Sequence, residues 1–238
     1  GEEPHRLPEA RCAEIRRAAE DAGIAVTGLH WLLLAPKGLS ITSADDADFP
    51  RTLEVGRGLI ALCAELGGRY LVHGSPEQRR LKPGREAEGR ERAMDYFAAV
   101  ADAAEAAGVV YCLEPLSPAQ TDFVRSVAEA TEIVETVGSP AFRTMIDCSA
   151  AGASEVEDIP ALIRRWLPTG LISHIHFNDP NRRGPGEGEL AFAPIVAALR
   201  EQRYAGDIGV EPFVYEPDGP ACAARAAGYV RGLLEACP

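Results

Sequence analysis

Apolar residues along this chain fall into two alternating patterns. Short runs rich in β-branched and aromatic residues, bounded by Gly, Pro or Asp, occur at 25–33 (AVTGLHWLL), 69–74 (RYLVHG), 109–116 (VVYCLEPL), 142–149 (FRTMIDCS), 171–178 (LISHIHFN) and 207–214 (DIGVEPFV). Such runs are the mark of strands buried on both faces of a parallel sheet. Between and after them lie Ala-, Leu-, Glu- and Arg-rich segments with apolar residues at helical spacing, at 8–22, 49–66, 86–107, 121–137, 158–167, 191–203 and 219–235. Helix after strand, repeated this way, forces parallel pairing through right-handed crossovers, so the pattern predicts an α/β fold.

The polar positions choose between the two α/β architectures that suit this alternation. A nucleotide-binding doubly wound sheet carries a glycine-rich turn after an early strand, and the chain has no GxGxxG stretch. Instead a polar, metal-capable residue stands near the end of strand after strand: His30, His73, Glu114, Asp147, His174 with His176, and Glu211. (β/α)8 barrels build their active sites at that end of the sheet. A TIM barrel is therefore expected, as a single domain over 1–238, because 238 residues with 46% hydrophobic content can bury one sizeable core. A closed barrel of this type has eight strands, whereas the pattern yields six and the chain opens on a helical segment. Either two strands escape the pattern, or an N-terminal strand–helix–strand segment is absent, or the barrel is incomplete.

Charge and cysteine usage narrow the partners. A formal net charge of −12 repels a phosphate backbone, and RLKPGR at 80–85 is too short to override that field, so nucleic acid is not expected as a partner. Cys12, Cys63, Cys112, Cys148, Cys222 and Cys237 are scattered without CxxC spacing and read as free thiols of a reducing compartment. No stretch reaches the roughly 18 apolar residues of a membrane helix, and no basic-then-apolar leader opens the chain. A cytoplasmic protein without a membrane partner is expected.

Side chains on a strand alternate faces, so His174 and His176 share one face, and Glu114, Asp147 and Glu211 all point inward if their strands are in phase. Three carboxylates meeting a histidine at a barrel mouth repel one another unless a cation lies among them. Carboxylate and imidazole donors suit Mn²⁺, Mg²⁺, Co²⁺ or Zn²⁺. The plainer readings compete residue by residue. A strand-end carboxylate is often a helix N-cap or a salt-bridge partner. Each Glu here precedes a Pro, at 114–115 and 211–212, which holds it extended at an element boundary. His30 and His73 are pocket residues or core histidines, and Cys148 reads as packing because no activating base is evident.

The stretches LEPL (113–116), MIDC (145–148), HIHFNDPNRRGPGEGEL (174–190) and VEPF (210–213) resemble the sugar phosphate isomerase/epimerase family of xylose isomerase-like TIM barrels, in particular its D-tagatose/D-psicose 3-epimerase branch. The likeness runs from the first helix to the last and places the start of the chain after the family's first two strands. It implies one divalent metal, commonly Mn²⁺, held by Glu114, Asp147, His176 and Glu211. His176 rather than His174 is implied because it lies six residues before Arg182, which matches the family's substrate-contacting arginine. Glu114 and Glu211 would also act as an acid/base pair on opposite faces of a sugar. Arg182, with His174, His30 and His73 as further pocket candidates, would bind that substrate.

The implied reaction moves a proton through a metal-stabilised enediolate, giving ketose epimerisation or aldose–ketose isomerisation without an organic cofactor. A small carbohydrate is the expected substrate and a homodimer the candidate assembly. The sequence departs from the branch at Ala150, where a His is expected, and at Gln120, where an acid is expected, with Asp122 nearby. Three alternatives share the fold. An apurinic-site nuclease would need more ligands and a basic groove. A lyase or dehydratase acting on an inositol-like or oxidised sugar would use the same metal site, and a degenerate barrel would bind without turnover.

Overall fold

The computed structural model describes residues 3–236. Its strands are β1 (Gly28–His30), β2 (Tyr70–His73), β3 (Val110–Leu113), β4 (Phe142–Asp147), β5 (Ile172–Phe177) and β6 (Ile208–Val210). They are hydrogen-bonded in chain order and every neighbouring pair is parallel. The helices are α1 (Glu9–Asp21), α2 (Asp48–Glu65), α3 (Glu86–Ala107), α4 (Val127–Val137), α5 (Cys148–Ser154), α6 (Ile159–Trp166), α7 (Phe192–Glu201) and α8 (Gly219–Ala236). The result is a six-stranded parallel half-barrel, an incomplete α/β barrel whose edge strands β1 and β6 do not pair with each other among the described residues.

The expected elements are present, with local corrections that each have a physical cause. The run at 25–33 holds only three strand residues, because Trp31 and Leu33 take left-handed backbone angles (φ 56° and 67°) and turn the chain out of the sheet. The strand expected over 207–214 ends at Val210, just before Glu211 and the donor-less Pro212. The strand expected over 142–149 stops at Asp147, and Cys148 opens α5, a short helix of small residues with no apolar stripe to announce it. The helix expected from 121 begins at Val127, where the Ser126 hydroxyl accepts the Glu129 N–H at 3.1 Å.

Strand alternation divides the core into an outer and an inner layer. Leu71, Tyr111, Leu113 and Phe142 face outward and pack with Ile60 of α2, Phe97 of α3 and Val134 of α4. Ile146, Ile175 and Phe177 do the same against Leu162 of α6 and Phe192 of α7. Inward, Val72, Cys112 and Met145 form a small cluster with Tyr70 and Val110. Two residues further along these strands, the same inner face carries Gly74, Glu114 and Asp147, so apolar packing sets the phase of the polar rim.

Contacts among the described residues bridge the gap between β1 and β6. His30 meets Glu211, the Trp31 ring tilts against Phe213 at 5.7 Å, and Arg69 pairs with Asp207. No helix among the described residues is long and apolar enough to cross a membrane. Cys12, Cys63, Cys112, Cys148 and Cys222 are free and buried, and Cys237 lies outside the described residues. Burial pushes the Cys148 thiol well above its ordinary range, in keeping with a packing role.

Candidate metal centre

Four side chains from four adjacent strands converge at the C-terminal rim of the sheet. Glu114 follows β3, Asp147 ends β4, His176 lies in β5 and Glu211 follows β6. Their ligand atoms all lie within 4.8 Å of one another. His176 Nδ1 stands 3.5 Å from Glu114 Oε1, 3.5 Å from Asp147 Oδ2 and 3.1 Å from Glu211 Oε2. That buried nitrogen nevertheless makes no well-formed hydrogen bond. An imidazole nitrogen and three carboxylate oxygens that face one point, rather than pairing off, form a ligand set for one divalent cation.

The electrostatics agree. Burial pushes the Glu114 carboxyl up, and the neighbouring Asp147 and Glu211 charges add to the rise against the pull of His176. Burial pushes the His176 imidazole down, but the carboxylates of Asp147, Glu114 and Glu211 outweigh it and hold the ring well above the ordinary histidine range. For Glu211, burial acts upward, while the His176 and His30 imidazoles bring the carboxyl down to about 2. Protons and a cation would therefore compete for the same lone pairs.

Backbone and neighbours fix the ligands. Asp147 Oδ1 caps α5 by accepting the Ala150 N–H at 2.6 Å, while Oδ2 accepts from Asn178 Nδ2 at 2.7 Å. The N-cap reading thus holds for Asp147, and its second oxygen stays within the carboxylate–imidazole cluster. Asn178 Oδ1 in turn accepts the Ser149 N–H at 2.8 Å, so this amide orients Asp147 rather than reaching toward a substrate. Its signal was present in the sequence, two residues beyond His176 on the same side of the strand. Close approach also needs two glycines. A methyl group at Gly74 would overlap Glu114 Oε2, and one at Gly209 would sit 2.8 Å from His176 Cδ2 and 3.2 Å from His174 Nε2.

The remaining candidates are placed as follows. His174 is buried beneath His176, stacked on Tyr70 at 4.1 Å, and burial with the nearby His176 charge pushes it down to about 3, a neutral ring. With His30, His176, Glu211 and Tyr215 it lines a 410 Å³ cavity at the gap between β1 and β6. His30 stands half-exposed on the rim with Nδ1 3.1 Å from Glu211 Oε1. His73 does not reach the cavity, because Val72 and Gly74 hold the inward phase and His73 turns outward among Tyr96, Phe97 and Tyr111. Its Nδ1 pairs with the Tyr111 hydroxyl at 2.9 Å, and burial holds the ring neutral.

Arg182 is exposed in a left-handed turn (φ 68°), with its carbonyl accepting from Phe213 N at 2.8 Å and Val214 N at 3.1 Å. Its guanidinium lies 4.4 Å over the Phe213 ring and meets no carboxylate among the described residues. Trp31, Phe213 and Arg182 thus form a stacked rim beside Glu211 that the strand pattern did not signal. Gln120 bonds locally to Ser117, Asp122 accepts the Leu81 N–H from a distant segment, and neither belongs to the cluster.

A parallel α/β half-barrel with a carboxylate–imidazole centre on its C-terminal rim defines the class. The chain belongs to the xylose isomerase-like TIM barrel family, whose sequence profile matches residues 2–233. It is 29% identical over 210 residues to the D-psicose 3-epimerase of Agrobacterium fabrum, spanning 87% of this chain and 70% of that protein. It is 30% identical over 182 residues to the L-ribulose 3-epimerase of Mesorhizobium japonicum, spanning 74% of this chain and 59% of that one. A solved structure of L-ribulose 3-epimerase superposes with a TM-score of 0.81 at 25% identity, covering 97% of this chain and 81% of the other.

Two outcomes test the centre. Gly74→Ala should displace the flexible Glu114 carboxylate and weaken Mn²⁺ binding by at least about tenfold while the far-UV circular dichroism stays unchanged, as read by calorimetric titration. Because the neighbouring carboxylates raise the His176 imidazole and a metal ligand must be unprotonated, Mn²⁺ binding should release protons and weaken as pH falls. Titration in two buffers of different ionisation enthalpy measures that release, and identical heats in both would contradict it.

Proposed function

We propose that this chain is a divalent-metal-dependent ketose epimerase, with Mn²⁺ the expected ion and a small carbohydrate the substrate. The observation that carries this reading is the convergence of Glu114, Asp147, His176 and Glu211 on one point, two of them glutamates that follow strands β3 and β6. The ketose 3-epimerase names of the relatives support it. A divalent cation held by these four side chains would polarise a substrate carbonyl and stabilise the negative charge left when an adjacent C–H proton departs.

The chain's own groups do the rest. One glutamate carboxylate removes the proton and the other returns one to the opposite face, which inverts that carbon. His30, bonded to Glu211, sets the orientation of that carboxylate on the solvent side. The guanidinium of Arg182, steadied by the Phe213 ring, holds sugar oxygens at the rim. Trp31 and Phe213 offer apolar faces to the C–H side of the sugar.

A panel of ketoses incubated in D₂O with Mn²⁺ tests the proposal by deuterium uptake at carbon. Glu114→Gln and Glu211→Gln should each abolish uptake with the fold intact, and retained exchange in both would defeat the acid/base assignment. Arg182→Ala should raise KM about tenfold or more with little change in kcat, since a charge-assisted hydrogen bond to bound substrate is lost.

A further inference from the structure

Behind the metal centre lies a second buried polar assembly. Arg79 ends a single 3-10 turn (Glu77–Arg79) and is completely buried. A guanidinium in that position is costly unless both its charge and its donors are answered. Its Nη1 donates to the main-chain carbonyl of Glu114 at 2.7 Å, and its Nη2 donates to the carbonyl of His73. These carbonyls mark the point where two neighbouring strands part. The last rung between them is Glu114 N–H to His73 O at 3.2 Å, after which one chain enters Pro115 and the other enters Gly74, against which the Glu114 carboxylate rests.

A planar fork spanning two carbonyls fixes the spacing and tilt of both peptides in a way a single point charge does not. The Arg79 Nε finds no partner among the described residues, but the charge is answered. Three carboxylates around a dication, with a neutral imidazole, keep one negative charge, and Arg79 is the fully buried cation beside it. Burial pushes the guanidinium down to about 10 against the pull of Glu114, so it stays charged at neutral pH. His73 is steadied from the far side by the Tyr111 hydroxyl, itself 3.3 Å from that of Tyr96.

We infer that Arg79 is a positioning residue for the metal centre: by clamping the carbonyls of His73 and Glu114 it holds the Glu114 carboxylate in ligand geometry. The inference rests on the four-residue metal reading. The test is calorimetric Mn²⁺ titration of the full chain and of Arg79→Met, Arg79→Lys and Tyr111→Phe, each first checked for fold by circular dichroism. Both Arg79 variants should lose affinity by about ten- to hundredfold, since lysine keeps the charge but not the fork. Tyr111→Phe, which cuts the same network one step further back, should stay within about twofold of the parent even where its Tm falls.

Full affinity in Arg79→Lys, unchanged affinity in folded Arg79→Met, or an equal loss in Tyr111→Phe would each overturn the inference. Absence of Mn²⁺ binding by the parent chain would instead overturn the metal reading, and the inference with it. A second readout needs no variant: on titration with Mg²⁺, the Arg79 guanidinium ¹H–¹⁵N resonances of the parent chain should shift and saturate together with the Glu114 amide. Resonances that stay fixed while that amide moves would overturn the inference even if both Arg79 variants failed to fold.

Discussion

Mutual repulsion among three carboxylates, two buried and Glu211 partly exposed, is the constraint around which the rim is arranged. Glu114, Asp147 and Glu211 sit around one imidazole nitrogen in a largely dry site, where like charges at a few ångström cost several kcal/mol. A divalent cation held there would turn that cost into binding energy. The parallel sheet makes the arrangement possible, because consecutive strands β3 to β6 all end on the same side and each delivers one ligand to the same height. In an antiparallel sheet alternate strands would end on opposite sides.

Much of the surrounding structure keeps those four atoms in place. Asn178 and the first turn of α5 hold both oxygens of Asp147, His30 answers the outer oxygen of Glu211, and Gly74 and Gly209 leave room where any side chain would collide with a ligand. Trp31 and Arg182 occupy left-handed backbone positions that cost a non-glycine residue about 1–2 kcal/mol each. Trp31 is tied across the gap between the edge strands by its tilted ring contact with Phe213, and Arg182, in the loop after β5, is held by backbone hydrogen bonds to Phe213 and Val214. At Trp31 a strained turn and an edge-bridging contact coincide. The open side of the half-barrel is where the rim is least supported by hydrogen-bonded sheet and most by aromatic contact.

The alternation of strand and helix was legible in the amino-acid sequence, as were the parallel sheet and the polar residues at strand ends, because apolar periodicity and pre-proline restriction act over a few residues. Glu114, Asp147 and Glu211 could be named as strand-end candidates for that reason, whereas the preference for His176 over His174 came from the family resemblance. Three features depended on the tertiary structure. His73 and Gly74 are neighbours in sequence, and which of them faces inward follows from the pairing of Val72 with Cys112 across two strands. His174 and His176 share a face, and only the height of β5 against β4, pairing His176 with Asp147, puts one of them at the carboxylates. Arg79 and the Trp31–Phe213–Arg182 stack join segments far apart in the chain. Local chemistry proposes the ligands, but register and packing are interactions between distant segments, and those alone decide which donors share one point in space.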